Sequence, residues 1–197
     1  MVHIKERKLF FSLSFLMGAV VIVSNYLVQF PVKFHGLDNL LTYGAFSYPI
    51  TFLITDLANR AFGKKIARYI VLIGFFIGIV LTFLVSTNFE DLISIRIAIG
   101  SATAFFISQN FDVTIFDRLR KRKWYIAPLT SSILGSIIDT FLFFSIAFYG
   151  TEIPWLTLAF GDLIVKLIVA LIMLVPFRIL LNKIKSYDNL EIKNFNY

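Results

Sequence analysis

Six long apolar stretches divide this chain and restrict it to folds that can cross a membrane. They occupy residues 9–30, 40–59, 66–87, 92–116, 124–150 and 155–181. A helix rises about 1.5 Å per residue, so each stretch can span a hydrocarbon core of about 30 Å. Because lipid leaves unpaired backbone groups unsatisfied, the sequence predicts an all-α integral membrane protein with six transmembrane helices.

The composition also indicates a lipid-embedded chain. Apolar residues make up 58% and charged residues 16% of the 197 residues, which leaves too little polar surface for a soluble domain. The gaps between the apolar stretches are short and hold no flexible linker. Residues 1–197 are therefore predicted to form a single polytopic membrane domain, with cytoplasmic tails at residues 1–8 and 182–197.

Lysine and arginine alternate between the gaps, and this alternation predicts the orientation. Sixteen of the 19 basic residues fall in four places: Lys5, Arg7 and Lys8; Arg60, Lys64, Lys65 and Arg68; Arg118, Arg120, Lys121, Arg122 and Lys123; and Arg178, Lys183, Lys185 and Lys193. The positive-inside rule then predicts that both termini are cytoplasmic. The run Arg118–Lys123 suits anionic lipid, so the lipid bilayer rather than nucleic acid is the expected partner.

Two weaker patterns concern helix packing. The segments NYLV (25–28) and NFDV (110–113) are alike, as are PIT before Asp56 and PLT before Asp139. These matches suggest a 3+3 inverted repeat, and chance similarity explains them equally well. Gly74 and Gly78 form a GxxxG motif, which favours close helix packing within one subunit over a homodimer face.

Polar residues inside the apolar stretches are the candidates for a solute site. A charged side chain at the bilayer centre costs about 2.5–3.5 kcal/mol, so a helix that only anchors avoids it. The candidates are Asn25, Gln29, Asp56, Asn59, Arg96, Ser108, Gln109, Asn110, Asp112, Asp139, Asp162 and Lys166. Carboxylates, amides and aromatic rings together suit a planar, hydrogen-bonding heterocycle, although composition does not choose a nucleobase over an amino acid or a vitamin.

Helix geometry suggests which of these charges meet. Asp139 and Lys166 both lie about 16 Å from the outer ends of antiparallel neighbouring helices, so they can form an ion pair. Asp162 and Lys166 can also pair, because they are four residues apart on one helix. Such a cluster either lines a solute cavity or only locks the helix bundle.

The remaining charges have alternative partners. Asp56 and Asp112 lie near a cytoplasmic end, where Arg60 or Arg118 can neutralise them. Arg96 can pair with Glu90 or Asp91 at the outer end of its helix.

Enzyme chemistry has little support in this sequence. There is no cysteine, the two histidines lie outside the apolar stretches, and neither HExxH nor GxSxG occurs. We therefore predict no enzyme activity, no metal site and no cofactor. A paired-aspartate protease needs two facing aspartates, whereas Asp56 and Asp139 are expected at different depths.

Four segments resemble the VUT family of queuosine precursor transporters. They are SNYLVQFP (Ser24–Pro31), TYGAFSYPITFLITDLANRAFG (Thr42–Gly63), RIAIGSATAFFISQNFDVTIFDRLR (Arg96–Arg120) and WYIAPLTSSILGSIIDTFLFFSIAF (Trp124–Phe148). The resemblance implies an inner-membrane importer of 7-cyano-7-deazaguanine and 7-aminomethyl-7-deazaguanine. It places Asn25, Gln29, Asp56, Asn59, Arg96, Gln109, Asp112 and Asp139 at motif positions expected to bind the solute.

A hypothesis for the mechanism follows from this resemblance. Asp139 accepts the N–H pair of the base, and Gln109 or Asn25 binds its carbonyl. Pro49 and Pro128 break backbone hydrogen bonds and act as hinges. The alternative function is the substrate-binding subunit of an energy-coupling uptake complex for a vitamin-like or nucleobase-like solute.

Overall fold

The computed structural model describes residues 2–33, 41–86 and 89–184, and it confirms the predicted all-α fold. The helices are α1 (Val2–Leu27), α2 (Gly44–Ser47), α3 (Ile50–Leu81), α4 (Leu92–Leu119), α5 (Ile126–Phe148) and α6 (Trp155–Leu181). A π-helical turn, Thr82–Ser86, continues α3. The described residues form no strand, and the one β-type contact among them is an isolated bridge between Pro31 and Thr42.

Five helical stretches within the described residues are long and apolar enough to cross a membrane. They are Glu6–Leu27, Gly44–Leu84, Leu92–Leu119, Ile126–Phe148 and Trp155–Leu181. The sequence predicts six spans, because it divides the region around Gly44–Leu84 into two stretches, 40–59 and 66–87. Residues 40 and 87 of the predicted stretches and residues 185–197 of the predicted tail lie outside the described residues.

The stretch Gly44–Leu84 contains a break at Gly63. This residue has φ 79° and ψ 173°, which is not helical. Before the break, later residues of α3 contact later residues of α4. Thr55 donates to the Gln109 side chain at 2.5 Å, and Asn59 donates to the Val113 carbonyl at 2.8 Å. This first half of α3 therefore runs parallel to α4.

After the break the order of the contacts reverses. Arg68 donates to the Thr114 hydroxyl at 3.2 Å. Phe75 stacks on Phe105 with ring centroids 6.4 Å apart. Later residues of α3 thus meet earlier residues of α4, so the two halves of α3 run in opposite directions.

Replacing Gly63 with alanine is expected to lower the free energy of unfolding by about 1–3 kcal/mol. The backbone angles of Gly63 fall in a region that is essentially restricted to glycine, because a Cβ there clashes with the backbone. Thermal unfolding of the purified protein in detergent measures the change. Lys65→Ala, an exposed position two residues later, is the control. Unfolding of Gly63→Ala at the wild-type temperature would contradict the prediction.

Small residues allow the helices to approach closely. A Cβ on Gly74 or Gly78 would overlap the side chains of Met17 or Val21 of α1. The GxxxG face therefore packs within the chain. Gly100 has a similar role in α4, since a Cβ there would lie 3.2 Å from the carbonyl oxygen of Phe143 in α5.

The prediction that Pro128 breaks a backbone hydrogen bond is wrong, because Pro128 lies in the first turn of α5, where a backbone N–H has no partner within the helix. Pro49 lies between α2 and α3 and follows Tyr48, whose N–H bonds to the Gly44 carbonyl, so it ends the helical hydrogen bonds there. The hinge role of both prolines stays a prediction. Within the described helices, the interior proline is Pro176 of α6.

Candidate functional site

A buried cavity lies where α1, α2, α4, α5 and α6 meet. Its volume is about 30 Å³, close to that of a single water molecule. Its polar lining residues are Ser24, Asn25, Tyr48, Ser101, Asp139, Asp162 and Lys166. The described chain thus places three charged side chains on the wall of a cavity inside helices that are suited to a membrane.

Lys166 is the centre of this charged group. Its Nζ lies 2.8 Å from Asp139 Oδ2 and 2.5 Å from Asp162 Oδ2. It also donates to the Thr140 hydroxyl at 3.2 Å and lies 5.2 Å from the centre of the Tyr48 ring. Both ion pairs agree with the helix geometry. The pair with Asp139 joins the antiparallel neighbours α5 and α6, and the pair with Asp162 joins residues four apart on α6.

The two carboxylates of this group differ in the contacts that they make. Asp139 accepts from Ser108 on Oδ1 at 3.2 Å and from Lys166 on Oδ2. Asp162 uses Oδ2 for both Thr140 and Lys166. No hydrogen bond joins Asp162 Oδ1 to the described residues. Asp162 Oδ1 is therefore the carboxylate oxygen best placed to accept a bond from a solute, a role that the sequence analysis gave to Asp139.

Asn25 connects two helices at the edge of the cavity. Its amide donates to Thr82 at 2.7 Å, and its carbonyl accepts from Ser101 of α4 at 2.6 Å. One amide N–H remains for a solute. Gln29, one turn later, is exposed, donates to the Asn25 backbone carbonyl at 3.5 Å and does not line the cavity.

Gln109 and Asn59 hold helices together away from the cavity. The Gln109 side chain donates to Thr51 at 2.8 Å and accepts from Thr55, so both bonds bind α4 to the first half of α3. Asn59 accepts from the Arg120 guanidinium on its side-chain oxygen at 2.6 Å. Arg120 is buried, and the sequence analysis treated it only as part of a topology signal.

Arg96 caps the end of a neighbouring helix. It donates to the backbone carbonyls of Ile146 and Tyr149 at 3.0 and 2.6 Å. Asp91, a suggested partner, instead accepts from two backbone N–H groups at the start of α4. Arg96 therefore binds α4 to the C-terminal end of α5.

Asp56 and Asp112 belong to a second polar cluster. Asp56 accepts from the hydroxyls of Ser131 and Ser132 at 3.1 and 3.4 Å, and it lines a smaller cavity. Both oxygens of Asp112 are buried without a hydrogen-bond partner in the described chain. The suggested pairing with Arg60 or Arg118 is wrong. Arg60 donates to the Arg120 carbonyl, and Arg118 is exposed.

The predicted site residues therefore separate into three groups. Asn25 and Asp139 line the main cavity together with Asp162 and Lys166, the predicted ion-pair residues. Asp56 and Asp112 form the second cluster, and Gln29, Asn59, Arg96 and Gln109 lie outside both. Sequence reasoning missed Thr140, Ser131 and Ser132, whose hydroxyls bind carboxylates. For Thr140 the available signal was its position next to Asp139.

The sequence has recognisable relatives among known proteins. Residues 42–181 match the family described as "Putative vitamin uptake transporter". A "Probable queuosine precursor transporter" of Haemophilus influenzae is 34% identical over 91% of this chain and 89% of its own length. The "Queuosine precursor transporter" of Escherichia coli is 34% identical over 90% and 89%.

A more distant relative comes from another bacterium. A "Probable queuosine precursor transporter" of Bacillus subtilis is 28% identical over 80% of this chain and 78% of its own length. No solved structure matches the sequence significantly. The names describe transporters, which confirms the prediction of a membrane transporter rather than an enzyme. With a match over residues 42–181 and relatives at 34% identity, this chain belongs to the "Putative vitamin uptake transporter" family.

Proposed function

We propose that this protein imports queuosine precursors, which are 7-deazaguanine bases such as 7-cyano-7-deazaguanine and 7-aminomethyl-7-deazaguanine, across the inner membrane. The observation that carries the proposal is the buried polar cavity around Lys166. Charged side chains inside membrane-spanning helices are rare and typically take part in solute or ion pathways. The names of the three relatives supply the solute class.

The groups on the cavity wall complement a guanine-like base. An N–H group on the edge of such a base can donate to Asp162 Oδ1. The second amide N–H of Asn25 can donate to the carbonyl of the base. Tyr48, buried at the cavity wall, offers an aromatic ring beside them.

A six-span topology with both termini in the cytoplasm is part of the proposal. A single helix over Gly44–Leu84 would be about 60 Å long, twice the hydrocarbon thickness. The reversal at Gly63 supports two spans instead, with Lys64 and Lys65 at a cytoplasmic turn. Residues 1–197 then form one membrane domain, in which two sets of three spans have opposite orientations.

Uptake of radiolabelled 7-cyano-7-deazaguanine tests the proposal. The host is a cell that can neither make nor import this base, and it carries wild-type protein or Asp139→Asn. We expect uptake with the wild type and at least about tenfold less with Asp139→Asn. The substitution removes a charge-assisted hydrogen bond from Lys166, which is worth about 1.5–3 kcal/mol.

Membrane abundance of both proteins is measured in the same cells by immunoblotting. Abundant wild-type protein without any uptake would contradict the proposed solute. If wild type and Asp139→Asn take up the base equally well, the result would support the proposed solute and exclude Asp139 as a residue that binds it.

A further inference from the structure

The second polar cluster contains two carboxylates that the uptake proposal does not use. Asp56 lies in the first half of α3 and Asp112 in α4, and they are 2% and 0% exposed. Ser131, which donates to Asp56, precedes Asp139 by about two turns of α5, or about 12 Å, and Asp112 follows Ser108, the partner of Asp139, by one turn of α4. The cluster is a separate site on the same helices.

The register of α4 against α5 brings more oxygen atoms to this cluster. Gly100 lies against Ala147, and Ser108 bonds to Asp139 two turns later, which fixes an antiparallel register. Asp112 then faces the segment 131–136 of α5. The Ser136 hydroxyl in that segment is fully buried and, like both Asp112 oxygens, has no hydrogen-bond partner among the described residues.

No basic side chain neutralises this pair in the described structure. Asp56 and Asp112 act on each other electrostatically, and the other groups that act on Asp56 are the two serines. Arg118, in the last turn of α4, is exposed, and Arg120, just beyond it, donates to Asn59 and lies 3.4 Å from Asp117.

The other elements packed here bring no charge to the carboxylates. Arg60, one turn after Asp56, donates to a backbone carbonyl, while α5 contributes serines. From α6, the cavity beside Asp56 is lined by Ala170, Met173, Leu174 and Phe177. Two buried carboxylates cannot both stay ionised without a positive partner, because each lacks water and repels the other.

We propose that Asp56 and Asp112, with Ser131, Ser132 and Ser136, hold one exchangeable monovalent cation, a proton or a sodium ion, that moves with the solute. Carboxylate and hydroxyl oxygens suit both ions. The smaller cavity, which Asp56 and Ser132 line, gives the ion a path to Asp56. This inference rests on the proposed transport function, to which it adds the source of the driving force.

Reconstituted vesicles can separate coupling from transport itself. The solute is 7-cyano-7-deazaguanine, which is neutral and therefore does not respond to membrane potential directly. Exchange of labelled for unlabelled solute reports transport without a gradient. Accumulation is then measured under an inward proton gradient and, separately, under an inward sodium gradient. The proteins are wild type, Asp112→Asn and Asp117→Asn. Asp117 is a partly exposed aspartate on the same helix and serves as the matched control.

We expect wild type and Asp117→Asn to accumulate solute under one of the two gradients, and that gradient identifies the ion. For Asp112→Asn, the ratio of accumulation to exchange rate should fall at least about tenfold, equivalent to about 1.4 kcal/mol of lost coupling. Measurable exchange by this variant shows that it is folded.

Two outcomes would overturn the inference. If the wild type exchanges solute but accumulates none under either gradient, the transport function stands and coupling to a proton or sodium ion is excluded. If Asp112→Asn accumulates solute as the wild type does, the carboxylate pair has no part in coupling. Absence of exchange in the wild type would instead contradict the proposed function itself.

Discussion

Lys166→Met is expected to reduce uptake of 7-deazaguanines at least about 100-fold and to destabilise the protein by about 3–5 kcal/mol. The side chain is 3% exposed, and its ammonium group lies between Asp139 and Asp162. Removing it leaves two buried carboxylates facing each other without a counter-charge. Methionine keeps most of the volume, so the loss reflects charge rather than a cavity.

Uptake per molecule at the membrane and thermal unfolding in detergent measure the two effects. Lys183→Met, an exposed lysine just beyond α6, is the control and should behave as the wild type does. The triple variant Lys166→Met, Asp139→Asn, Asp162→Asn removes all three charges together. It should recover most of the stability and none of the uptake, which separates folding from function.

A Lys166→Met variant with wild-type stability would contradict this view of the cluster. It would mean that water or protons neutralise the carboxylates without the lysine. Uptake by the triple variant would exclude the cluster from the solute site and leave it a structural role.

The sequence predicts the charge cluster because depth along a helix follows directly from residue count. Asp139 and Lys166 lie on consecutive antiparallel helices at equal distances from the outer ends, and the 1.5 Å rise is nearly constant. The structure places Asp139 Oδ2 and Lys166 Nζ 2.8 Å apart. The all-α fold could be predicted for a similar reason, since bilayer thickness sets the minimum length of each apolar stretch.

Rotation about the helix axis could not be predicted in the same way. The helices are apolar on most faces, so no polar stripe shows which side of α3 or α4 faces a neighbour. The sequence therefore offers Asp56 either a nearby arginine or the solute as partner, whereas its carboxylate accepts from Ser131 and Ser132. The resemblance places Gln109 at the solute, although its amide is bound by Thr51 and Thr55.

The turn within α3 shows a third limit. The sequence predicts a gap at residues 60–65, as expected for a loop between two spans. In the structure a single residue, Gly63, makes the turn, and its φ of 79° is available to glycine at low energy. Hydropathy alone does not reveal that the helix resumes immediately after one such residue.

Asp162→Asn is expected to change which precursor the protein prefers. The cavity contains two carboxylates and one ammonium group, so one negative charge remains. The aminomethyl compound is a cation and should gain from this charge, whereas the neutral cyano compound should not. The aminomethyl group lies about 8 Å from the N–H edge of the base, and two opposite charges at that separation attract by about 2 kcal/mol at an effective dielectric constant of 20. Partial solvation lowers that value. We expect the preference for the cation to fall at least about tenfold.

Competition between the two compounds for uptake measures this preference directly. Unlabelled aminomethyl compound competes with labelled cyano compound in cells that carry wild type, Asp162→Asn or Glu152→Gln. Glu152 is exposed between α5 and α6, so its substitution changes the protein's net charge equally without touching the cavity. An unchanged preference for the aminomethyl compound in Asp162→Asn would mean that the solute does not meet this carboxylate. A reduced preference in both variants would point to the surface charge of the protein. A reduced preference in Asp162→Asn alone would show that the charge of Asp162 acts on the cationic group of the solute inside the cavity.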